Sequence, residues 1–243
     1  MKIEGRSISP GKAEGVVLII SEPLSFLGGV DGATGDVRVG NGGNVAGKVL
    51  VFPKGKGSTV GSFVMYDLMV HGKQPAAVIN ESAETIVATG AVISSIPMID
   101  QVPSIDLFED GDIVRVDADS GTAYIDGVQE AEAAVMALCR DGKVLLRSGE
   151  AERSLPCRRA ESSDPSDVAR KLASEVLGTG TWSMMKAAPP VYFREGKTVW
   201  KVHPFLFEAS GDSAFGKGLE WADIQSVELC DRDAAVLKLL LKP

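Results

Sequence analysis

Side chains that hold metals or act as nucleophiles are scarce in this chain. Among 243 residues there are three cysteines, Cys139, Cys157 and Cys230, and two histidines, His71 and His203. The cysteines all fall in the second half, at spacings that match no paired-cysteine metal site, and their odd number argues against a disulfide framework. The first half therefore has no thiolates with which to hold an iron–sulfur cluster of its own. Two histidines give little support to a histidine-rich metal site or a Ser-His-Asp triad in either half. His71, just before Gly72, reads as a solvated residue ending a helix rather than as a base. Long apolar runs are missing too: none reaches 18 residues, and the opening MKIEGRSISPGKAEG has no signal-type apolar region. That predicts a cytoplasmic protein, neither secreted nor inserted in a membrane. Nor is there a basic excess. Net charge is −8, made of −7 over residues 1–127 (9 Lys and Arg against 16 Asp and Glu) and −1 over 128–243 (16 against 17). Neither half offers nucleic acid a basic face.

What the chain does have is a hydrophobic content of 44%, normal for a folded protein, and length enough for two ordinary domains. Residues 1–127 read as short strands joined by Gly-rich turns, with a few helices. Near the end of this stretch, Ile113, Val114, Val116 and Ala118 alternate as a strand does, and Asp119-Ser120-Gly121 supplies a turn before Thr122–Ile125, which predicts a hairpin. A different pattern of strand, Asp-Gly turn and strand starts in QEAEAAVMALCRDGKVLLRS, so the boundary is placed near Gly127.

The most informative stretch is Gly47–Asn80, GKVLVFPKGKGSTVGSFVMYDLMVHGKQPAAVIN. Val49–Phe52 is a short apolar run stopped by Pro53, Phe63–Val70 has helical spacing, and Ala76–Ile79 is strand-like again. Between them Gly55, Gly57 and Gly61 let the backbone turn tightly and approach a ligand. Ser58, Thr59 and Ser62 then sit at a helix mouth, where unpaired N–H groups attract phosphate or carboxylate. Taken alone, the turn favours the plainer reading, in which Ser58 or Thr59 is only a helix cap. A P-loop is excluded, because Lys56 is followed by Gly57 instead of Ser or Thr. A dinucleotide fold has more in its favour: GKGSTVG follows a strand, and Glu81 lies where a ribose-binding acid belongs. Its glycine spacing is one residue off, however, and ETIVATGAVISSIPMID opens no clear second strand–helix–strand unit. A second candidate is PLSFLGGVD, where Ser25 and Asp31 are placed to lie beside the Ser62 turn; an ordinary turn with Phe26 in the core is the alternative.

Four blocks, ISPGKAEG, PLSFLGGVD, GKVLVFPKGKGSTVGSFVMYDL and ATGAVISSIPMID, resemble in order the small-subunit, or swivel, domain of the aconitase X group, in its archaeal phosphomevalonate dehydratase branch. The resemblance covers residues 1–127. It implies a swivelling β/β/α domain that closes over a large aconitase X-type subunit carrying an iron–sulfur cluster, with no metal or cofactor bound by this chain. It further implies dehydration of (R)-5-phosphomevalonate to trans-anhydromevalonate 5-phosphate, with a serine of the Gly-rich turn as proton acceptor. The matching position is Ser62, with Ser58 its rival, while Ser25, Lys56, Gly57, Ser58, Thr59 and Gly61 would surround the phosphorylated hydroxy acid. Lys54 and Lys56 read as aids to a serine alkoxide, as phosphate ligands, or as solvated loop lysines. A related dehydratase acting on a hydroxyproline, or a non-catalytic binding protein, is the alternative function.

Residues 128–243 resemble a Nudix domain, of α/β/α architecture: AVMALCRDGKVLLRS matches the opening hairpin, SLPCRR the Leu-Pro turn, and DVARKLASEVLG the signature helix. Together the two resemblances imply a two-domain chain of mixed α/β and α+β class. The signature departs from pattern, because only Glu175 stands at a metal-ligand position, and Cys157 and Arg158 replace glycines. One carboxylate does not hold a hard divalent ion. The expectation is an inactive domain that binds the large subunit, tunes the complex or senses a phosphorylated metabolite through Arg147, Arg153, Arg158 and Arg159, unless these are surface charges.

Overall fold

The computed structural model describes residues 1–57, 59–148, 153–178, 181–210 and 218–242. They form two compact units, Met1–Gln129 and Glu130–Pro243.

The first unit opens with β1 (Lys2–Glu4), β2 (Arg6–Ser9) and β3 (Lys12–Ile19), followed by the single turn α1 (Phe26–Gly29). Then come β4 (Val49–Lys54), α2 (Gly61–Val70), β5 (Ala77–Ser82), α3 (Thr85–Ile93) and β6 (Met98–Asp100), and last the hairpin β7 (Ile113–Asp117) and β8 (Thr122–Ile125). Among the described residues the sheet order is β1-β8-β7-β3-β4-β5-β6-β2. The central strands β3, β4, β5 and β6 are parallel, and the flanking pairs antiparallel. A strand covered on both faces needs continuous rather than alternating apolar residues. β4 obeys this, with Val49, Leu50, Val51 and Phe52 all inaccessible to solvent.

The segment Glu84–Asp100 does form a second strand–helix–strand unit: α3 leads from β5 into β6, and the two strands pair in parallel. The expectation that it would not is corrected here. Its signal is weak because α3, TIVATGAVI, has no charged face and β6 is only three residues long. Even so, Glu81 does not serve as a ribose acid. Its carboxylate accepts hydrogen bonds from the Ile105 N–H at 2.8 Å and the Ser104 hydroxyl at 3.4 Å, holding the turn that follows β6. The edge strand β2 is fixed to β6 by a bidentate pair, Arg6 to Asp100 at 2.9 and 2.8 Å, with the carboxylate 1% exposed.

The second unit comprises β9 (Gln129–Arg140), β10 (Lys143–Ser148), β11 (Arg153–Ser154), β12 (Cys157–Arg159), α4 (Pro165–Leu177), β13 (Thr181–Ala187), β14 (Val191–Glu195), β15 (Thr198–Ser210), β16 (Leu219–Asp223) and α5 (Asp231–Leu240). Its sheet is ordered β11-β10-β9-β15-β13, with β12 beside β9, β14 beside β15 and β16 beside β10; β10 runs antiparallel to β9, β11 and β16, β12 to β9, and β13 and β14 to β15. Asp141 and Gly142, both at positive φ (50° and 74°), make the tight β9–β10 turn. One apolar cluster joins the sheet to α4 through Val168, Leu172 and Val176; another joins it to α5 through Val236, Leu237 and Leu240. The sheet therefore lies between two helices, an α/β/α layering.

Candidate functional site

In a parallel sheet the open ends of the strands point backbone groups into a crevice, and ligands collect there. The carboxyl end of β4 is such a place. Leu24 bridges Gly55 in parallel, donating to the Lys54 carbonyl at 3.0 Å and accepting from the Lys56 N–H at 2.9 Å. The Pro23–Gly29 segment is thereby tied along the Gly-rich loop. Gly57, at φ 111°, has no room for a side chain: a Cβ would stand 2.8 Å from the Ser25 hydroxyl oxygen. Gly61 opens α2 between its neighbours, its missing Cβ 3.4 Å from Ile86 and 3.6 Å from Phe26.

Ser62 is the second residue of α2 and 9% exposed; its hydroxyl donates to the Thr59 carbonyl at 2.9 Å. Thr59 is exposed and is not the helix cap: Val60 occupies that position without a side-chain bond. Ser25 is half-buried, donating to the Leu27 carbonyl at 3.0 Å. Lys56 is half exposed, its ammonium 3.9 Å from Glu22, and Lys54 ends β4 exposed. Ser58 lies outside the described residues. The structure thus brings Ser25, Gly57 and Gly61 together around the start of α2, with Thr59 just before its cap and Ser62 on its first turn.

Asp31 is not part of this group. Its carboxylate is bonded by the backbone N–H groups of Thr34 and Ala33 and paired with Arg38, which together hold it below the usual carboxylate range. The adjacent Gly32 abuts Asp67, farther along α2 than Ser62, so the expectation that Asp31 flanks the Ser62 turn is corrected. Phe26 packs edge-on against Phe52, ring centres 6.0 Å apart, as a core residue. His71 ends α2, exposed and 3.2 Å from Asp67. One carboxylate beside the loop escaped sequence reasoning. Glu84 Oε2 lies 3.0 Å from where a Cβ on Gly55 would stand; only its place before α3 marked it.

The second unit has a cleft of about 660 Å³. Cys157, Arg158, Arg159, Trp200, Cys230 and Arg232 line it. The Arg159 guanidinium stacks 4.7 Å above the Trp200 ring. Arg158 grips Glu175 through two bonds, 2.8 and 2.5 Å, which keeps that carboxyl below its ordinary range. Arg153 pairs with Glu220 at 2.6 Å, and Arg147 is exposed on β10. Arg232, missed in the sequence because nothing marked it, is bound to the fully buried Asp233 at 2.7 Å. Cys139 is not a nucleophile at neutral pH, since burial pushes its thiol up to about 11.

The family model of the aconitase X swivel domain matches residues 2–125. The phosphomevalonate dehydratase small subunit of Thermococcus kodakarensis is 55% identical over 132 residues, which are 51% of this chain and 96% of that protein. The crystal structure of Thermococcus kodakaraensis aconitase X in its holo-form superposes with a TM-score of 0.50 at 54% identity, over 51% of this chain and 98% of that one. A Nudix hydrolase from Nitrosomonas europaea is also similar, at 13% identity and a TM-score of 0.38, over 46% of this chain and 88% of that one, and nothing about activity follows from it. With half its length matched by the family model and a relative spanned almost end to end, the chain belongs to the aconitase X swivel domain family.

Proposed function

We infer that the first unit is the small subunit of a two-subunit hydro-lyase that dehydrates (R)-5-phosphomevalonate to trans-anhydromevalonate 5-phosphate. The observation that carries this reading is the 55% identity to a phosphomevalonate dehydratase small subunit along 96% of that protein's length. The chemistry asks for a base on one carbon and departure of a hydroxyl from the next. A proton leaves the carbon beside the carboxylate, its electron pair becomes the new double bond, and hydroxide departs. The base is assigned to Ser62. Its hydroxyl sits on the first turn of α2, where the helix dipole favours an anion and near-burial removes competing water. In the free chain the hydroxyl donates to the Thr59 carbonyl; to act as base it turns from that carbonyl, breaking this bond, and gives its proton to solvent before the site closes, so that the alkoxide accepts the substrate's proton. Ser25, Gly57, Ser58, Thr59, Gly61 and Lys56 are assigned to the phosphorylated acid, with Gly57 letting the Ser25 hydroxyl lie against the loop at the start of α2.

Residues 1–129 contain no cysteine, so the donor set of this unit does not fit an iron–sulfur cluster. The cluster, and with it departure of the hydroxyl, is assigned to the large subunit. Anaerobic reconstitution of the full chain with an aconitase X-type large subunit tests the reading. Formation of trans-anhydromevalonate 5-phosphate is expected. Turnover of a hydroxyproline instead would move the substrate, and no turnover with either would leave a binding protein.

For the second unit a separate observation favours binding over hydrolysis. Glu175, the carboxylate at the metal-ligand position, is neutralised by Arg158, while Arg159 and Trp200 face a cleft suited to an anionic, flat ligand. We assign it a metal-independent anion-binding role. Release of phosphate from nucleoside diphosphate derivatives with Mg²⁺ would contradict this.

A further inference from the structure

Helices on the surface of a soluble protein normally turn a polar face to water, and one that is apolar all round is a buried helix. α2 and α3 break that rule together. α2 carries one charged residue, Asp67, in ten, and α3 carries none in nine. Their inner faces are satisfied: Met65 and Leu68 are inaccessible, Val87 and Ala91 nearly so, and the two helices press against each other where Gly90 meets Met65. Their outer faces are not. Val60, Phe63, Tyr66 and Val70 are spaced three, three and four residues apart, which puts them in one stripe along α2. They are 44%, 66%, 45% and 59% exposed, and on α3 Val92 and Ile93 are 54% and 46% exposed. These six side chains leave on the order of 600 Å² of apolar surface in water, at the upper limit of what a monomer usually shows. A stable interface takes roughly 800 Å² from each partner, so the patch supplies the apolar centre of one and needs only a polar rim. The stripe is continuous with the candidate site: Ser62 lies between Val60 and Phe63 on the same turn of α2.

The geometry points to the outer face of α2 and α3 as the surface on which the large subunit docks, so that assembly both covers these side chains and closes over Ser62. This rests on the two-subunit reading above, and it adds which face makes the contact. The occupant is a second polypeptide with a matching apolar face. A small ligand would not cover an open surface of this area.

The test is a binding titration of the full chain with a purified aconitase X large subunit, using two double variants. Tyr66→Lys with Val70→Lys places two charges in the stripe. Val16→Lys with Ile113→Lys places two charges on another exposed apolar pair, adjacent on β3 and β7. The α2 variant is expected to weaken binding by about tenfold or more, the β3/β7 variant to leave it unchanged. Circular dichroism and the unfolding midpoint establish that both are folded. Should the α2 variant be unstable, Val92→Lys with Ile93→Lys asks the same question from α3. Binding by the α2 or α3 variant equal to that of the unmodified chain overturns the inference, as does equal weakening by the β3/β7 variant. A dimer of the chain alone that the α2 variant dissociates assigns the face to a second copy, and also overturns it. If the unmodified chain binds no large subunit, the two-subunit reading itself fails, a result recognised before any variant is made.

Discussion

Glu175 stands where a metal ligand is wanted, and both of its oxygens are already taken by Arg158. Removing Arg158 would free one carboxylate, which is still too few oxygens for Mg²⁺. Calorimetric titration of Arg158→Ala with Mg²⁺ is therefore expected to show no binding; a clear isotherm would restore the metal site. His203 supplies a pH prediction. Its Nε2 is buried without a hydrogen-bond partner, 3.8 Å from Glu132, and desolvation holds the ring below its ordinary 6.5, with Lys201 opposing and Glu132 and Asp164 favouring the charge. A lowered folded value means that the unfolded chain takes up the proton first as pH falls. The contribution to stability is thus complete above 6.5 and is lost as pH drops from there toward the folded value. His203→Gln should flatten the fall in unfolding temperature between neutrality and about pH 5; an unchanged slope would assign it to other groups. At this scale the sequence was legible where geometry is local. Gly57 needs its positive φ, and its closeness to Ser25 follows from two loops that both announce themselves with glycine. Asp31 was misread because its short-range partners, Thr34, Ala33 and Arg38, outcompete a distant turn, and nothing in the spacing ranks the two.

Elements were legible in proportion to their punctuation. α4 is framed by Asp164, whose side chain accepts from the Ser166 N–H at 2.8 Å, by Pro165 at its first turn and by Gly178 after its last. Asp164→Ala should cost about 1 kcal/mol, read as a shift in urea midpoint. α3 has no such marks, and its apolar residues face both inward and outward, so periodicity fails. Its interface with α2 is nevertheless demanding. A Cβ on Gly90 would stand 2.5 Å from the Met65 sulfur and 3.1 Å from its Cβ. Alanine gains about 1 kcal/mol of helix propensity over glycine. The sulfur can swing away but the Met65 Cβ cannot, so overpacking of about 1–3 kcal/mol wins and Gly90→Ala should lower the urea midpoint. A raised midpoint would show that the two helices separate more easily than their contacts imply.

The whole molecule is two units with separate cores, one around Leu50, Phe52 and Met65 and the other on either side of the second sheet. The Thermococcus kodakarensis relative matches over 132 residues that make up 96% of its own length and 51% of this chain, so in that protein a counterpart of one unit is nearly the whole chain. A chain ending at Gln129 is accordingly expected to fold, join the large subunit and support turnover like the full protein. Loss of assembly on truncation would make the second unit part of the enzyme's framework. The parallel order of β3 to β6 and the placing of Ser62 at a strand's open end depend on pairings between distant segments, which no local pattern encodes. The most direct trial of the central claim is single: turnover of phosphomevalonate by the reconstituted complex carrying Ser62→Ala, with assembly measured on the same sample. A complex that forms normally but turns over about 10²–10⁴-fold more slowly is what a lost base predicts. Near-normal turnover by an intact complex would contradict it.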